Sequence, residues 1–307
     1  MIEAILYSIA GLIGLAIGGE LLVRGAVSIA QRLGISNLVT GLVIVGFATS
    51  MPEMVASVQA ALAGSPGIAW GNVVGSNLAN TLMILGATAL VMPIALTGTG
   101  RRDAIVALIA TLGLWALTFS QLGSIWIGVA LLLGILAYIY WRYNHPSQSL
   151  DTEDDDGAPT SLPVALLLFA AGLGLLIVGG SALVSGAIDL ARIFGVSETA
   201  IGLTVVAIGT SLPELAASIA AALRGKPGLA IGNVVGSNIY NILLIGGATM
   251  SIAPFAVPAD LLTYELVILS GSAILFLLMV SYAKQIGRGL GAILLALYAG
   301  TIVIAFA

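Results

Sequence analysis

The sequence predicts an all-α polytopic membrane protein, with ten transmembrane helices built as two five-helix repeats of inverted topology. Composition is the first reason. Of 307 residues, 59% are hydrophobic and 8% charged, and mean hydropathy is +1.14, which is more apolar surface than a water-soluble domain of this size can hide. Repetition is the second: residues 41–80 align with 202–241 at a constant offset of 161 without a gap, and 24 of the 40 positions are identical. The third is the placement of basic residues, which agrees with inversion once the spans are set out.

The first apolar run, 3–22, follows Met1-Ile2-Glu3. It has neither the basic leader of a signal peptide nor a convincing cleavage site, so it reads as a retained span. The second, 38–63, contains Thr49-Ser50-Met51-Pro52-Glu53. The third, 68–93, contains Gly71-Asn72-Val73-Val74-Gly75-Ser76-Asn77 and then Asn80. Spans 103–120 and 124–142 complete the first half. The second half runs through 162–186, 198–223, 228–254, 261–282 and 288–306. Its copies of the two motifs are Thr210-Ser211-Leu212-Pro213-Glu214 and Gly232-Asn233-Val234-Val235-Gly236-Ser237-Asn238, followed by Asn241. At about 1.5 Å per residue each run is long enough to cross a bilayer.

An odd number of spans per repeat inserts the second copy upside down. With the N-terminus outside, Arg24, Arg32, Arg101, Arg102, Arg142, Arg224, Lys226, Lys284 and Arg288 are cytoplasmic and Arg192 alone is external. Both termini are then external. The chain divides into an N-terminal repeat (1–142), a cytoplasmic loop (143–161) and a C-terminal inverted repeat (162–307). The loop carries Asp151, Glu153, Asp154, Asp155 and Asp156. A solvated linker is the expected reading over a regulatory calcium site, because the run is short and lacks EF-hand spacing.

A carboxylate at bilayer depth is costly and marks an ion pathway or a proton relay. Glu53 and Glu214 are two such groups, one per repeat. On the second span Thr49 and Ser50 lie four and three residues before Glu53, so hydroxyls and carboxylate share a face. Pro52 lacks an amide hydrogen and is expected to kink the helix, freeing carbonyls around Gly46 to Ala48. The seventh span repeats this with Ala207 to Gly209, Thr210, Ser211, Pro213 and Glu214. On the third span Ser76 and Asn80 are one turn apart, as are Ser237 and Asn241 on the eighth. Carboxylate, hydroxyl, amide and carbonyl oxygens are the ligands of hard cations such as sodium and calcium. No Lys or Arg in these four spans neutralises the glutamates. Gly71/Gly75 and Gly232/Gly236 have the spacing of close helix packing and are read as contacts, not ligands.

Shared ligands make two occupancies mutually exclusive, as exchange requires. Two bare carboxylates about 4 Å apart repel by about 4 kcal/mol at an effective dielectric near 20, so the empty charged site is a poor state to carry across a membrane. Exchange of one hard cation for another, with sodium and calcium as the candidates, is the leading expectation. Calcium/proton exchange on the same fold is the alternative, with the paired Thr-Ser hydroxyls favouring sodium. A channel fits less well. Enzymes are disfavoured: there is no cysteine, the one histidine, His145, lies in the polar loop, and no HExxH motif exists. No cofactor, nucleic acid or protein partner is implied; the partners are the lipid bilayer and the transported ions, in the cell's inner or plasma membrane.

The paired Gly-Thr-Ser-Leu-Pro-Glu and Gly-Asn-x-x-Gly-Ser-Asn motifs resemble the two alpha repeats of the cation/calcium antiporter superfamily, particularly its prokaryotic sodium/calcium exchangers. The resemblance spans the whole chain. Gly209 to Glu214 matches outright, whereas Gly46-Phe47-Ala48-Thr49-Ser50-Met51-Pro52-Glu53 is degenerate at the glycine. The resemblance implies a ligand set of the Gly46 carbonyl, Thr49, Ser50, Glu53, Ser76 and Asn80, with the Ala207 carbonyl, Thr210, Ser211, Glu214, Ser237 and Asn241. It also implies alternating access by sliding of the first and sixth spans over a fixed core. Several relatives carry Asp where this chain has Asn241, which lowers the pocket's formal charge from −3 to −2.

Overall fold

The computed structural model describes residues 1–96, 100–145, 160–194, 207–262 and 264–305. Helices dominate: α1 (Ile2–Leu33), α2 (Asn37–Thr49), α3 (Met51–Leu62), α4 (Pro66–Val91), α5 (Arg101–Ser120), α6 (Ile125–Asn144), α7 (Leu162–Ile193), α8 (Ala207–Gly209), α9 (Leu212–Leu223), α10 (Pro227–Ile252), α11 (Glu265–Tyr282) and α12 (Arg288–Ala305). Seven of them are long and apolar enough to cross a membrane, and eight if α2 and α3 form one bent span. α9 and α12 are shorter apolar helices. The start of the expected seventh span, 198–206, and the acidic loop residues 151 to 156 lie outside the described residues.

α4 and α10 form the buried centre, with 83% and 89% of their apolar windows covered, against 28% for α1 and 22% for α6 and α7, whose apolar surfaces lie largely open. This ordering follows from sequence. The motif helices bring Asn and Ser into the membrane, and such groups are tolerated only where protein satisfies them. A short antiparallel pair, β1 (Ile94–Ala95) with β2 (Gln285–Ile286), joins the exit of α4 to the entry of α12.

α1 and α7 exceed the expected spans 3–22 and 162–186, each continuing to 32 residues. Charge ends the apolar run but not the helix, because Leu22, Val23, Ala26, Val27, Ile29 and Ala30 remain buried beyond it. The two helices cross antiparallel through glycines at seven-residue spacing: Gly11, Gly18 and Gly25 on α1, and Gly172, Gly179 and Gly186 on α7. A Cβ at Gly18 would stand 2.9 Å from the Leu176 amide nitrogen, and one at Gly179 2.9 Å from that of Leu15. Backbone touches backbone along this pair, the close approach that small residues permit between membrane helices.

The expected kink is present. α2 and α3 meet at 44°, with Ser50 (φ −81°, ψ 3°) at the corner and Pro52 in the first turn of α3. Ser211 repeats the corner before α9 (φ −90°, ψ 6°). The carbonyls are less free than expected, because the Ser50 amide turns back onto both Gly46 and Ala48, and the Ser211 amide onto Ile208. Tightening the last turn re-satisfies what the proline removes, and each carbonyl keeps its second lone pair. π-helical turns at Thr40–Val45, Ala79–Ile84 and Asn241–Ile245 widen the helices beside these corners. Such turns frequently accompany functional sites.

Glycine packing is borne out in the second half. A Cβ at Gly232 would overlap the Leu38 carbonyl oxygen, and one at Gly236 would stand 2.6 Å from that of Leu42. The expected packing is not found at Gly71 and Gly75, where no described atom beyond their own turn of helix lies within 4 Å of an added Cβ, because that face of α4 lines the cavity shared with Thr210.

Candidate cation site

The two corners bring the duplicated motifs together at the centre. Glu53, on the first turn of α3, and Glu214, on the first turn of α9, are each 1% exposed. Each carboxylate faces the serine of the other half: Ser50 Oγ donates to Glu214 Oε1 at 3.3 Å, and Ser211 Oγ donates to Glu53 Oε1 at 3.4 Å. Ser50 Oγ also lies 3.1 Å from Ser237 Oγ, which ties α10 to the same point. The Thr49 hydroxyl is 3.0 Å from the Val45 carbonyl and 3.3 Å from Asn233 Oδ1. Its single proton serves the nearer acceptor and its lone pairs remain. Gly46 lets α10 approach, since a Cβ there would stand 3.3 Å from the Ser237 amide nitrogen.

Of the other expected residues, Ser76 is buried on α4 and lines a cavity together with Thr210, Asn72 and Gly75. Ala207 opens α8, one turn before Ser211. Asn80 and Asn241 sit at equivalent points in the π-helical turns of α4 and α10, both 1% exposed. Asn241 Nδ2 donates to Asn77 Oδ1 at 3.2 Å, an antiparallel contact between the two central helices.

Several buried groups on these helices lack a partner among the described residues. Glu53 Oε2, Glu214 Oε2, Asn80 Oδ1, Asn238 Oδ1 and Asn241 Oδ1 are buried without a hydrogen bond to any described residue. An orphaned buried acceptor costs about 1–3 kcal/mol, and more when charged, so buried oxygens of this kind call for a donor or a positive charge. A hard cation answers that description. Among the described residues there is no cluster of three His, Cys, Asp or Glu. Two carboxylates diluted by neutral oxygens suit an ion that must also leave.

Sequence reasoning missed the scaffold of this site. Asn72 Nδ2 donates to the Glu53 carbonyl (3.1 Å) and to Ser57 Oγ (2.8 Å); Asn233 Nδ2 donates to the Glu214 carbonyl (3.1 Å) and to Ser218 Oγ (2.9 Å). Each amide clamps the glutamate's own backbone to the neighbouring helix. The signal was available, since both asparagines lie inside the duplicated motif. Also missed was the Arg142–Asp103 ion pair. Arg142, read as an interfacial cation, is 0% exposed and its Nε lies 2.8 Å from Asp103 Oδ1, which also accepts from Tyr138 at 2.7 Å. Glu20 and Arg24 pair at 2.8 Å, and Arg224 at the end of α9 joins them through two bonds of 2.8 and 2.9 Å.

Comparison with known proteins gives the family. The sodium/calcium exchanger protein family matches residues 3–144 and 164–307. A putative antiporter, CaxA of Alkalimonas amylolytica, is 37% identical over 98% of both chains. The sodium/calcium exchanger MaX1 of Methanosarcina acetivorans is 29% identical over 96% of both. A structure of the sodium-calcium exchanger NCX_Mj, soaked with Na⁺ and Sr²⁺, superposes with a TM-score of 0.85 at 31% identity, covering 98% of each chain. A multi-pass helical membrane protein whose sequence is matched by this family in both halves, the chain belongs to the sodium/calcium exchanger protein family.

Proposed function

We propose that the protein is a secondary active antiporter that lets sodium down its gradient to expel calcium, using one central site by alternating access. The observation that carries this reading is the reciprocal arrangement of the halves. Each glutamate is held by the other half's serine, and each keeps one oxygen without a partner. The ligands are Glu53 and Glu214, the hydroxyls of Thr49, Ser50, Ser76, Thr210, Ser211 and Ser237, the amides of Asn80 and Asn241, and the carbonyls of Gly46 and Ala207. One Ca²⁺ cancels the charge of the two carboxylates, and sodium ions compete for the same oxygens, so the two cargoes exclude each other.

The membrane arrangement of this reading is ten spans in two inverted repeats, 1–142 and 162–307, with both termini external in the plasma or inner membrane and 143–161 cytoplasmic. The antiparallel contacts between equivalent helices support it: α1 with α7 through their glycines, and α4 with α10 through Asn77 and Asn241. The tight glycine seam also supports α1 and α7 moving as one body. The test is ⁴⁵Ca²⁺ uptake into proteoliposomes with sodium, potassium or pH gradients imposed separately. Uptake is expected with a sodium gradient alone, and Glu53→Gln and Glu214→Gln should each abolish it. Sodium-driven uptake that survives in both variants removes the site.

A further inference from the structure

An asparagine amide presents an oxygen on one side and an amino group on the other, so its value as a cation ligand depends on which way it is turned. A carboxylate has no such problem. Asn241 stands one helical turn after Ser237, on the face that meets Ser50, and its Oδ1 is buried and unpartnered. Its Nδ2 is the end that is held, by Asn77 Oδ1 at 3.2 Å. Asn77 is itself 1% exposed, and its own Nδ2 has no partner. Turning both amides over would keep the bond but offer Asn241's amino group to a cation, which would repel it; the orientation with the oxygen free is the one a loaded site selects.

We propose that Asn77 is a positioning residue for cation binding: it holds Asn241 by the amide nitrogen so that the amide oxygen is the atom presented to the transported ion. This rests on the antiporter reading of the central site. The equivalent residue of the other repeat, Asn238, is oriented by a different device, since its Nδ2 donates to Thr81 Oγ1 at 2.8 Å and its Oδ1 is likewise left free. The residue equivalent to Thr81 is Ile242, so no such hydroxyl serves the Asn77 side. Asn77 holds its partner with one neutral hydrogen bond between amides.

The test exploits the fact that Asp is only an acceptor, whereas Leu is neither donor nor acceptor. In the natural background, Asn77→Asp keeps a partner for Asn241's amino group and Asn77→Leu removes it. Asn77→Leu should therefore raise the calcium and sodium concentrations for half-maximal exchange about fivefold, the size of one neutral hydrogen bond, with maximal flux retained; Asn77→Asp should not. Combined with Asn241→Asp the ranking reverses. Asn77→Asp then sets two buried carboxylates against each other, which must either repel or take up a proton in competition with the cation, and should be the worse double variant, while Asn77→Leu is tolerated because the carboxylate beside it has no amino group to be held. A residue with a merely structural role would rank Asp and Leu the same way in both backgrounds, and that result overturns the proposal, as does wild-type half-saturation in Asn77→Leu. If Asn77→Leu does not fold, as read by its melting temperature, the Asn77→Asp pair in the two backgrounds carries the same test. Failure of the site itself shows differently, as exchange that survives Glu53→Gln and Glu214→Gln.

Discussion

The crossing of α2 and α10 sets how far apart the two halves of the site stand, and it has no slack. At Gly232 an added Cβ would overlap the Leu38 carbonyl oxygen and stand 2.9 Å from the Leu42 amide nitrogen. At Gly41 it would overlap the Leu229 carbonyl oxygen and stand 2.9 Å from the Asn233 amide nitrogen. These neighbours are helix backbone, which cannot rotate away as a side chain can. Restoring an ordinary contact of about 3.5 Å requires the helices to part by about 1 Å, and overpacking of this kind costs about 1–3 kcal/mol. The site feels the same displacement. Asn233, which clamps Glu214, and Ser237, 3.1 Å from Ser50, both ride on α10. A shift of about 1 Å takes that second contact past hydrogen-bond range. Gly232→Ala is therefore expected to lower the melting temperature of the purified protein and to weaken calcium and sodium half-saturation together. Gly113→Ala is the control, at an exposed α5 position where no described atom lies within 4 Å. It should hold or gain stability through helix propensity, by up to about 1 kcal/mol. If Gly232→Ala melts and exchanges like the natural protein while Gly113→Ala does not differ from it, the crossing does not govern the site.

Two further outcomes follow from ion pairs outside the site. Arg142→Met leaves Asp103 buried with Tyr138 as its remaining described donor, and should cost about 3–5 kcal/mol in thermal or denaturant unfolding; adding Asp103→Leu should recover most of it, and equal losses in the single and double variants would contradict the pairing. Glu20 ties α1 to Arg224 at the end of α9, while the equivalent positions Ser181 and Ala63 cannot form such a pair, so under the proposed alternating access the tie would restrain α1 in one of its two states. Being part-exposed it is worth about 1 kcal/mol at most, so Glu20→Gln should speed saturated exchange up to about fivefold without altering half-saturation; unchanged turnover rules out a restraining role.

What the sequence disclosed was what repeats at short range. Glu53 and Glu214, their flanking serines and the prolines that bend the chain beside them lie within five residues of one another, and the offset of 161 doubles each observation. Contacts across elements were hidden. Asn72 and Asn233 were visible as motif residues, but that each holds a glutamate's carbonyl 19 residues away depends on how α3 folds back on α4 and α9 on α10. Arg142 looked like a cytoplasmic charge because its partner Asp103 is 39 residues distant, and only the α5–α6 register brings them together. The glycine seam of α1 and α7 was legible in principle, since Gly11, Gly18 and Gly25 recur at 172, 179 and 186. It was overlooked because those helices carry no polar motif to draw attention. The length of α1 misled for a physical reason. Hydropathy marks where lipid ends, and a helix packed on protein beyond that plane has no cause to stop.

The long serine contacts bear on how such a site works. At 3.3 and 3.4 Å, the bonds from Ser50 to Glu214 and from Ser211 to Glu53 are at the weak end of their range. A hydroxyl turns about its own bond, so either proton can swing off its carboxylate and leave a lone pair facing the same point. The site therefore has two ways to be satisfied with one backbone: hydroxyl protons on the carboxylates, or a cation among the oxygens. Since the hydroxyl on each carboxylate belongs to the other half, a cation that displaces one alters the contact between halves as well as its own coordination. Under the proposed antiport, binding would in this way be coupled to the relative position of α2/α3 and α9, the coupling that alternating access needs, with no side chain required to travel farther than a rotation.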